Sequence, residues 1–226
     1  MENTLDKPSL NFRVDPEHGA LRLSIIGIFV ALWIITFFIL SLLIPDQGVN
    51  IIAVLVGFGV AAIVSRQIEN TLRSKWPSGR MLVIDQDGVS LLHKETTQSQ
   101  ITASEPMGIL LWRFRIRRRT RVPKGWYVVA CAIEQEDTYL PVYTFMSPQD
   151  IEGLNGRIRF PVLMTEKEVQ NPVGRQDSLR LAGEQRRLRQ AEQHRWTNGA
   201  EMTNDDFTQY LERLNEQFPQ WMPLNR

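Results

Sequence analysis

The sequence predicts an α+β membrane protein. A two-helix transmembrane hairpin at the N-terminus leads into an antiparallel β domain closed by a helix, and a helical tail follows. Three observations carry this reading. Two long uncharged apolar runs, Leu23 to Ile44 and Gly48 to Ser65, stand side by side near the N-terminus. Short strand-like segments separated by turn residues occupy positions 80 to 145. Apolar residues at helical spacing return close to the C-terminus.

Residues 1–20 form a polar N-terminus, and residues 21–66 hold the hairpin, with spans at about 23–44 and 48–65. At a helical rise of about 1.5 Å per residue the two runs reach roughly 33 and 27 Å, enough for a hydrocarbon core of about 30 Å. The first run is longer than the apolar stretch of a secretory signal, and Pro45-Asp46-Gln47-Gly48 follows it where a cleavage site would stand. Pro and Gly in that order suit a reverse turn. Lys7, Arg13 and Arg22 precede the first span; Arg66, Arg73, Lys75 and Arg80 follow the second, and the turn carries only Asp46. Basic residues stay on the cytoplasmic side during insertion, so both termini are expected to be cytoplasmic in a multi-pass protein of the inner (plasma) membrane.

Small residues recur four apart in both spans: Gly27 and Ala31 in the first, Ala53, Gly57, Ala61 and Ser65 in the second. Four apart is one helix face, and small side chains let two backbones approach closely. Gly27 with Ala61, and Ala31 with Gly57, match in depth for an antiparallel pair, so these four are expected to make the helix contact. No ionisable residue lies within either span. An anchor or assembly element is therefore expected rather than a transport path.

Residues 67–79 continue the second helix and stop at Trp76-Pro77-Ser78-Gly79. The β domain is predicted over 80–160. Met81–Asp85 and Val89–His93 flank Gln86-Asp87-Gly88, and Asp-Gly tolerates the positive φ of a hairpin turn. Gln100–Thr102 is weakly extended, and Ile109–Val122 and Trp126–Glu134 are joined through Pro123-Lys124-Gly125. Tyr139–Phe145 closes the series. Ser147-Pro148-Gln149-Asp150 then starts a helix that shows Ile151, Leu154 and Ile158 on one face.

A two-span hairpin leading directly into "MLVIDQDGVSLLHK", with later strands and a closing helix, resembles the bacterial membrane proteins that carry a pleckstrin-homology-like (PH-like) domain. The resemblance covers about residues 20 to 160, and the Asp85-Gln86-Asp87-Gly88 turn is its best local match. It implies a bent β-sandwich or barrel plugged at one end by a helix, and a binding or scaffolding role rather than catalysis. Lipid-binding eukaryotic members place basic residues in the loop between the first two strands. Here that loop is Gln86-Asp87-Gly88, so headgroup recognition of that kind is not carried over.

The segment from Trp112 to Arg121 is the most unusual soluble stretch. Side chains alternate along a strand, so Arg113, Arg115, Arg117, Arg119 and Arg121 are expected on one face, with Trp112, Phe114, Ile116 and Val122 toward the core. Lys124 adds a charge in the following turn. Guanidinium groups about 7 Å apart repel one another unless something anionic faces them. Three readings stand. The face is solvated and partly neutralised by acids such as Glu134 and Glu136; or it meets anionic lipid of the inner leaflet; or it meets an acidic protein or the chain's own tail.

The tail spans 161–226, with Gln170–Gly174 as a linker. Asp177 or Ser178 caps a first helix running to about Arg195, whose apolar stripe is little more than Leu181 and Leu188. Thr203 and Asp206 start a second one, on which Phe207, Tyr210, Leu211, Leu214 and Phe218 make a continuous stripe that must dock on the domain or on a partner.

Composition excludes more than it assigns. Lys and Arg total 26 against 25 acids, a net charge of +1, so the wide basic footprint of a nucleic-acid binder is missing. Mean hydropathy is −0.22 despite the apolar runs, which makes the remainder distinctly polar. The single Cys131 lies in an apolar run and reads as a small buried hydrophobe. His18, His93 and His194 are scattered, with no metal-ligand spacing, phosphate loop or nucleophile elbow, so neither a cofactor nor a catalytic residue is expected. The expectation is a non-catalytic membrane protein displaying a binding or scaffolding domain at the cytoplasmic face. The alternative is a structural accessory subunit of a larger membrane complex.

Overall fold

The computed structural model describes residues 10–16, 19–43, 50–94, 96–119, 121–155, 158–165, 168 and 178–222. The predicted turn at Pro45–Gly48 and the linker at Gln170–Gly174 lie outside the described residues. The chain divides into two compact units, one made of residues 15–78 and the other of 1–14 together with 79–226.

The smaller unit is a pair of helices, α1 (Gly19–Leu43) and α2 (Ile51–Lys75), both long and apolar enough to cross a membrane. Asn50 caps α2 by accepting a hydrogen bond from the Ala53 amide at 2.9 Å. On α2 the small-residue stripe faces the pair: Ala53 and Ala61 are fully buried, and Gly57 and Ser65 are buried with them. A methyl group on Gly57 would sit 3.3 Å from the Trp33 ring and 3.5 Å from the Phe37 amide nitrogen. Trp33 also donates its indole N–H to the Val54 carbonyl at 3.2 Å, and Phe29 meets Phe58 edge-on at 5.3 Å.

On α1 the expected small residues are elsewhere. Ala31 is exposed, and Gly27 has open space where its side chain would be. At Gly57 the α1 neighbours are the Trp33 side chain and the Phe37 backbone. Matching depth does not show which face of α1 turns inward, and large-into-small packing fills space better than small against small.

The larger unit holds two four-stranded sheets. The first runs β1 (Leu10–Arg13), β2 (Arg80–Ile84), β3 (Gly88–His93) and β4 (Thr96–Thr102), antiparallel throughout. The second runs β5 (Gly108–Arg115), β6 (Tyr127–Gln135), β7 (Thr138–Met146) and the two-residue β8 (Ala200–Glu201), the last pairing parallel. Among the described residues the sheets do not join into a closed barrel. Gln135 links them, accepting from the Thr102 amide at 2.9 Å and donating to its carbonyl at 2.8 Å.

Local chemistry sets the turns. In the β2–β3 turn the Asp85 carboxylate accepts from the amides of Asp87 at 3.0 Å and Gly88 at 2.8 Å. Any side chain on Gly88 would collide with the Ile101 carbonyl of β4, so only glycine fits. Two capping boxes form as expected. The Ser147 hydroxyl accepts from the Asp150 amide at the start of α3 (Pro148–Asn155), and Thr203 does the same for Asp206.

Two helices complete the unit: α4 (Ser178–Asn198) and α5 (Asn204–Gln217). The main core gathers Leu82, Ile84, Val89 and Ile101 from the first sheet and Leu111, Val129, Cys131 and Val142 from the second. Phe207, Tyr210, Leu211, Leu214 and Phe218, the predicted docking stripe, are all buried in this same core. The tail therefore docks on the chain's own domain. Residues 161–226, read as a tail, belong to the same unit, and β1 lies in a stretch expected to be merely polar. Phe12 and Val14 are buried there, and Phe12 meets Tyr210 edge-on at 6.1 Å.

Candidate functional site: an arginine-rich loop and the tail that braces it

The predicted strand Ile109–Val122 ends early, at Arg115. Both faces of β5 are covered up to that point. Ile109 and Leu111 face the main core, while Leu110, Trp112 and Phe114 pack with Leu188 and Ala191 of α4 in a second core. Only Arg113 and Arg115 lie on the strand, so the expected row of five aligned arginines does not form. Arg113 is half-buried on the side of Leu111, with its guanidinium 5.9 Å from the centre of the Tyr127 ring.

Beyond Arg115 the chain is a loop rather than a strand. It is closed at its base by Ile116, whose amide donates to the Trp126 carbonyl at 2.7 Å and whose carbonyl accepts from Gly125 at 3.0 Å. Val122 turns inward and is buried. Arg115, Arg117, Arg118, Arg119, Arg121 and Lys124 are exposed. The cluster is therefore real, but it crowns a loop.

Among the described residues, two of these cations meet acids, and both acids come from the tail. Arg121 pairs with Glu201 of β8 and lies 4.7 Å over the Phe145 ring. Arg117 approaches Glu168 at 3.6 Å, an exposed pair worth about 0–1 kcal/mol. Glu134, expected among the neutralising acids, stands opposite Gly108, at the other end of β5 from Arg115. There it accepts from the Tyr139 hydroxyl and the Arg187 guanidinium, each at 2.7 Å. Burial opposes the Glu134 charge, but these two donors outweigh it and hold the carboxyl below its ordinary pKa. Glu136 occupies the β6–β7 turn with a φ of 51°.

Helix α4 is fixed to the outer face of the second sheet by a polar chain. The Trp112 indole donates to Glu192 at 2.9 Å. Arg195 forks onto the same carboxylate at 2.7 and 2.6 Å and lies 4.6 Å over the Tyr143 ring. The Tyr143 hydroxyl donates to Glu201 at 3.1 Å, and burial together with that carboxylate pushes its pKa up to about 12. His194 stacks on Tyr139 with ring centres 4.3 Å apart. Gln185, fully enclosed, accepts from the Met164 amide and donates to the Val162 carbonyl, which holds the strap 161–164 against the edge of β5. Sequence reasoning missed Glu192, Arg195 and Glu201, since a helix with only two leucines on its face gives little sign of docking. The available signal was the set of aromatic partners on β5 and β7.

Among the described residues no three His, Cys, Asp or Glu side chains converge as metal ligands would. Cys131 is buried, and burial raises its thiol pKa to about 12 with the neighbouring Tyr210 hydroxyl pulling the other way. Such a thiol is inert at neutral pH. Comparison of the chain with protein-family models, with curated proteins and with solved structures finds no match.

Proposed function

We propose that this chain is a non-catalytic integral membrane protein whose larger unit is a PH-like domain docking on the anionic cytoplasmic leaflet through the arginine loop. The observation that carries the reading is the exposed run Arg115, Arg117, Arg118, Arg119 and Lys124 on a unit covalently joined to two apolar helices. Those helices leave Leu23, Ile35, Phe38, Leu42, Ile51 and Leu55 more than half exposed, an apolar surface that suits lipid and not water. Two four-stranded sheets, antiparallel except for the two-residue β8, with an amphipathic C-terminal helix in their core support the PH-like assignment. With both termini cytoplasmic, the larger unit sits beside the inner leaflet of the plasma membrane.

Each basic residue near an anionic surface contributes about 1 kcal/mol, and tethering supplies a high effective concentration. Weak intrinsic affinity is therefore enough. The test uses the full chain reconstituted in vesicles, with a dye on a cysteine placed at the exposed Gln190 and an acceptor dye on lipid headgroups. Energy transfer should rise when anionic lipid is added, fall with salt, and be lost in R117Q/R118Q/R119Q. Transfer that is indifferent to lipid charge defeats the proposal.

A second reading, an accessory subunit of a larger complex, is favoured by the outward placement of Gly27 and Ala31, which leaves a small-residue face open to another helix. Stoichiometric co-purification in mild detergent that G27L abolishes would support it.

A further inference from the structure

This inference rests on the docking proposed above and adds its mode of contact. In the larger unit the described large apolar side chains left exposed are Val162 and Trp196, and Trp196 is 83% exposed. It stands in the last turn of α4, one residue beyond the buried Arg195, with Arg186, Gln190 and Gln193 exposed on the preceding turns. An indole left open to water forgoes the burial that makes Trp a core and interface residue.

A chain of contacts brings this end of α4 to the arginine loop. Arg195 lies over Tyr143, Tyr143 donates to Glu201, Glu201 holds Arg121, and Arg121 covers Phe145. The helix end and the C-terminal limb of the loop thus converge on one acid and one tyrosine.

We infer that loop and helix end form one two-part docking face for an anionic bilayer: the loop arginines meet the headgroups, and the Trp196 indole enters the boundary between headgroups and acyl chains. Trp is suited to that layer because a flat apolar ring carries a single N–H donor. The two parts differ physically. Arginine contacts are screened by salt, with a screening length of about 8 Å at physiological ionic strength, whereas indole insertion is not. Docking therefore retains a salt-resistant remainder that the loop alone would lack.

The full chain in vesicles containing lipid brominated at a shallow acyl position tests this directly. Adding anionic lipid should add tryptophan quenching in the native protein that W196F lacks, because Trp33, Trp76, Trp112, Trp126 and Trp221 are common to both. The energy transfer remaining at high salt should also vanish in W196F. Equal added quenching in W196F and native protein overturns the inference. If transfer still depends on anionic lipid and on Arg117, Arg118 and Arg119 while W196F changes nothing, only the indole insertion fails. If transfer ignores lipid charge, the docking itself falls and takes this inference with it.

Discussion

Gly57 is the described glycine of the helix pair that has a neighbour where its side chain would be. Its missing side chain is what lets Trp33 and the Phe37 backbone come within 3.3 and 3.5 Å of the built Cβ position. Gly57→Leu should therefore separate the helices, whereas Gly27→Leu should leave their pairing intact. A thermal midpoint lowered in the Gly57 variant alone reads this out, and equal midpoints in both variants would contradict the packing. Cys131 gives a second residue-level test. Its thiol pKa is 9.0 unperturbed and about 12 in the folded chain. From about pH 9 upward the unfolded chain releases a proton that the folded one keeps, so stability present below pH 9 is lost as pH rises toward 12. Alkylation of the full chain at pH 8 should thus follow unfolding. The alkaline fall in unfolding midpoint should be shallower in Cys131→Ala. Rapid alkylation of folded protein would show that the thiol is accessible.

At the scale of elements, α5 holds the core together more than its place in the chain suggests. Phe207→Ala removes a fully buried ring and should cost about 3–5 kcal/mol, measured as a lowered denaturant midpoint. A fragment ending near residue 165 loses the whole helix and should not fold, as circular dichroism and solubility would reveal; a folded fragment would mean that α5 is dispensable. This helix was legible in the sequence, because its five apolar residues keep one phase over three turns and its cap chemistry is explicit. Most strand positions were legible for the same reason of period. The exceptions are physical. β1 is four residues long with Phe12 as its one fully buried side chain, too short for any alternation to register. The arginine strand was misplaced because alternation assigns faces only when one of them meets water, and β5 is covered on both sides by the main core and by α4. The bracing acids Glu168, Glu192 and Glu201 come from residues fifty or more positions away, a distance that no local pattern spans.

The whole molecule is organised around an insertion. The chain leaves the larger unit at Val14 and re-enters it at Gly79, and the Val14 amide donates to the Arg80 carbonyl at 3.3 Å. A cysteine at Gln47 should react with an impermeant reagent from outside intact cells, while a reporter after Arg226 should behave as cytoplasmic. Labelling at the tail with protection at Gln47 would reverse the orientation.

That insertion also imposes a rule of parity. Residues 10–13 and 81–84 are hydrogen-bonded neighbours in one sheet, so they share one aqueous compartment. Whatever lies between them must cross a bilayer an even number of times or not at all, whichever way the surrounding charges point. To the sheet, the two long helices amount to a single turn. Jointly closed, they return the chain to its starting point without the entropy that a slack loop of the same length would lose. Synthesis then has a fixed order: the first strand waits unpaired until both helices are made, and the domain can shut only after them.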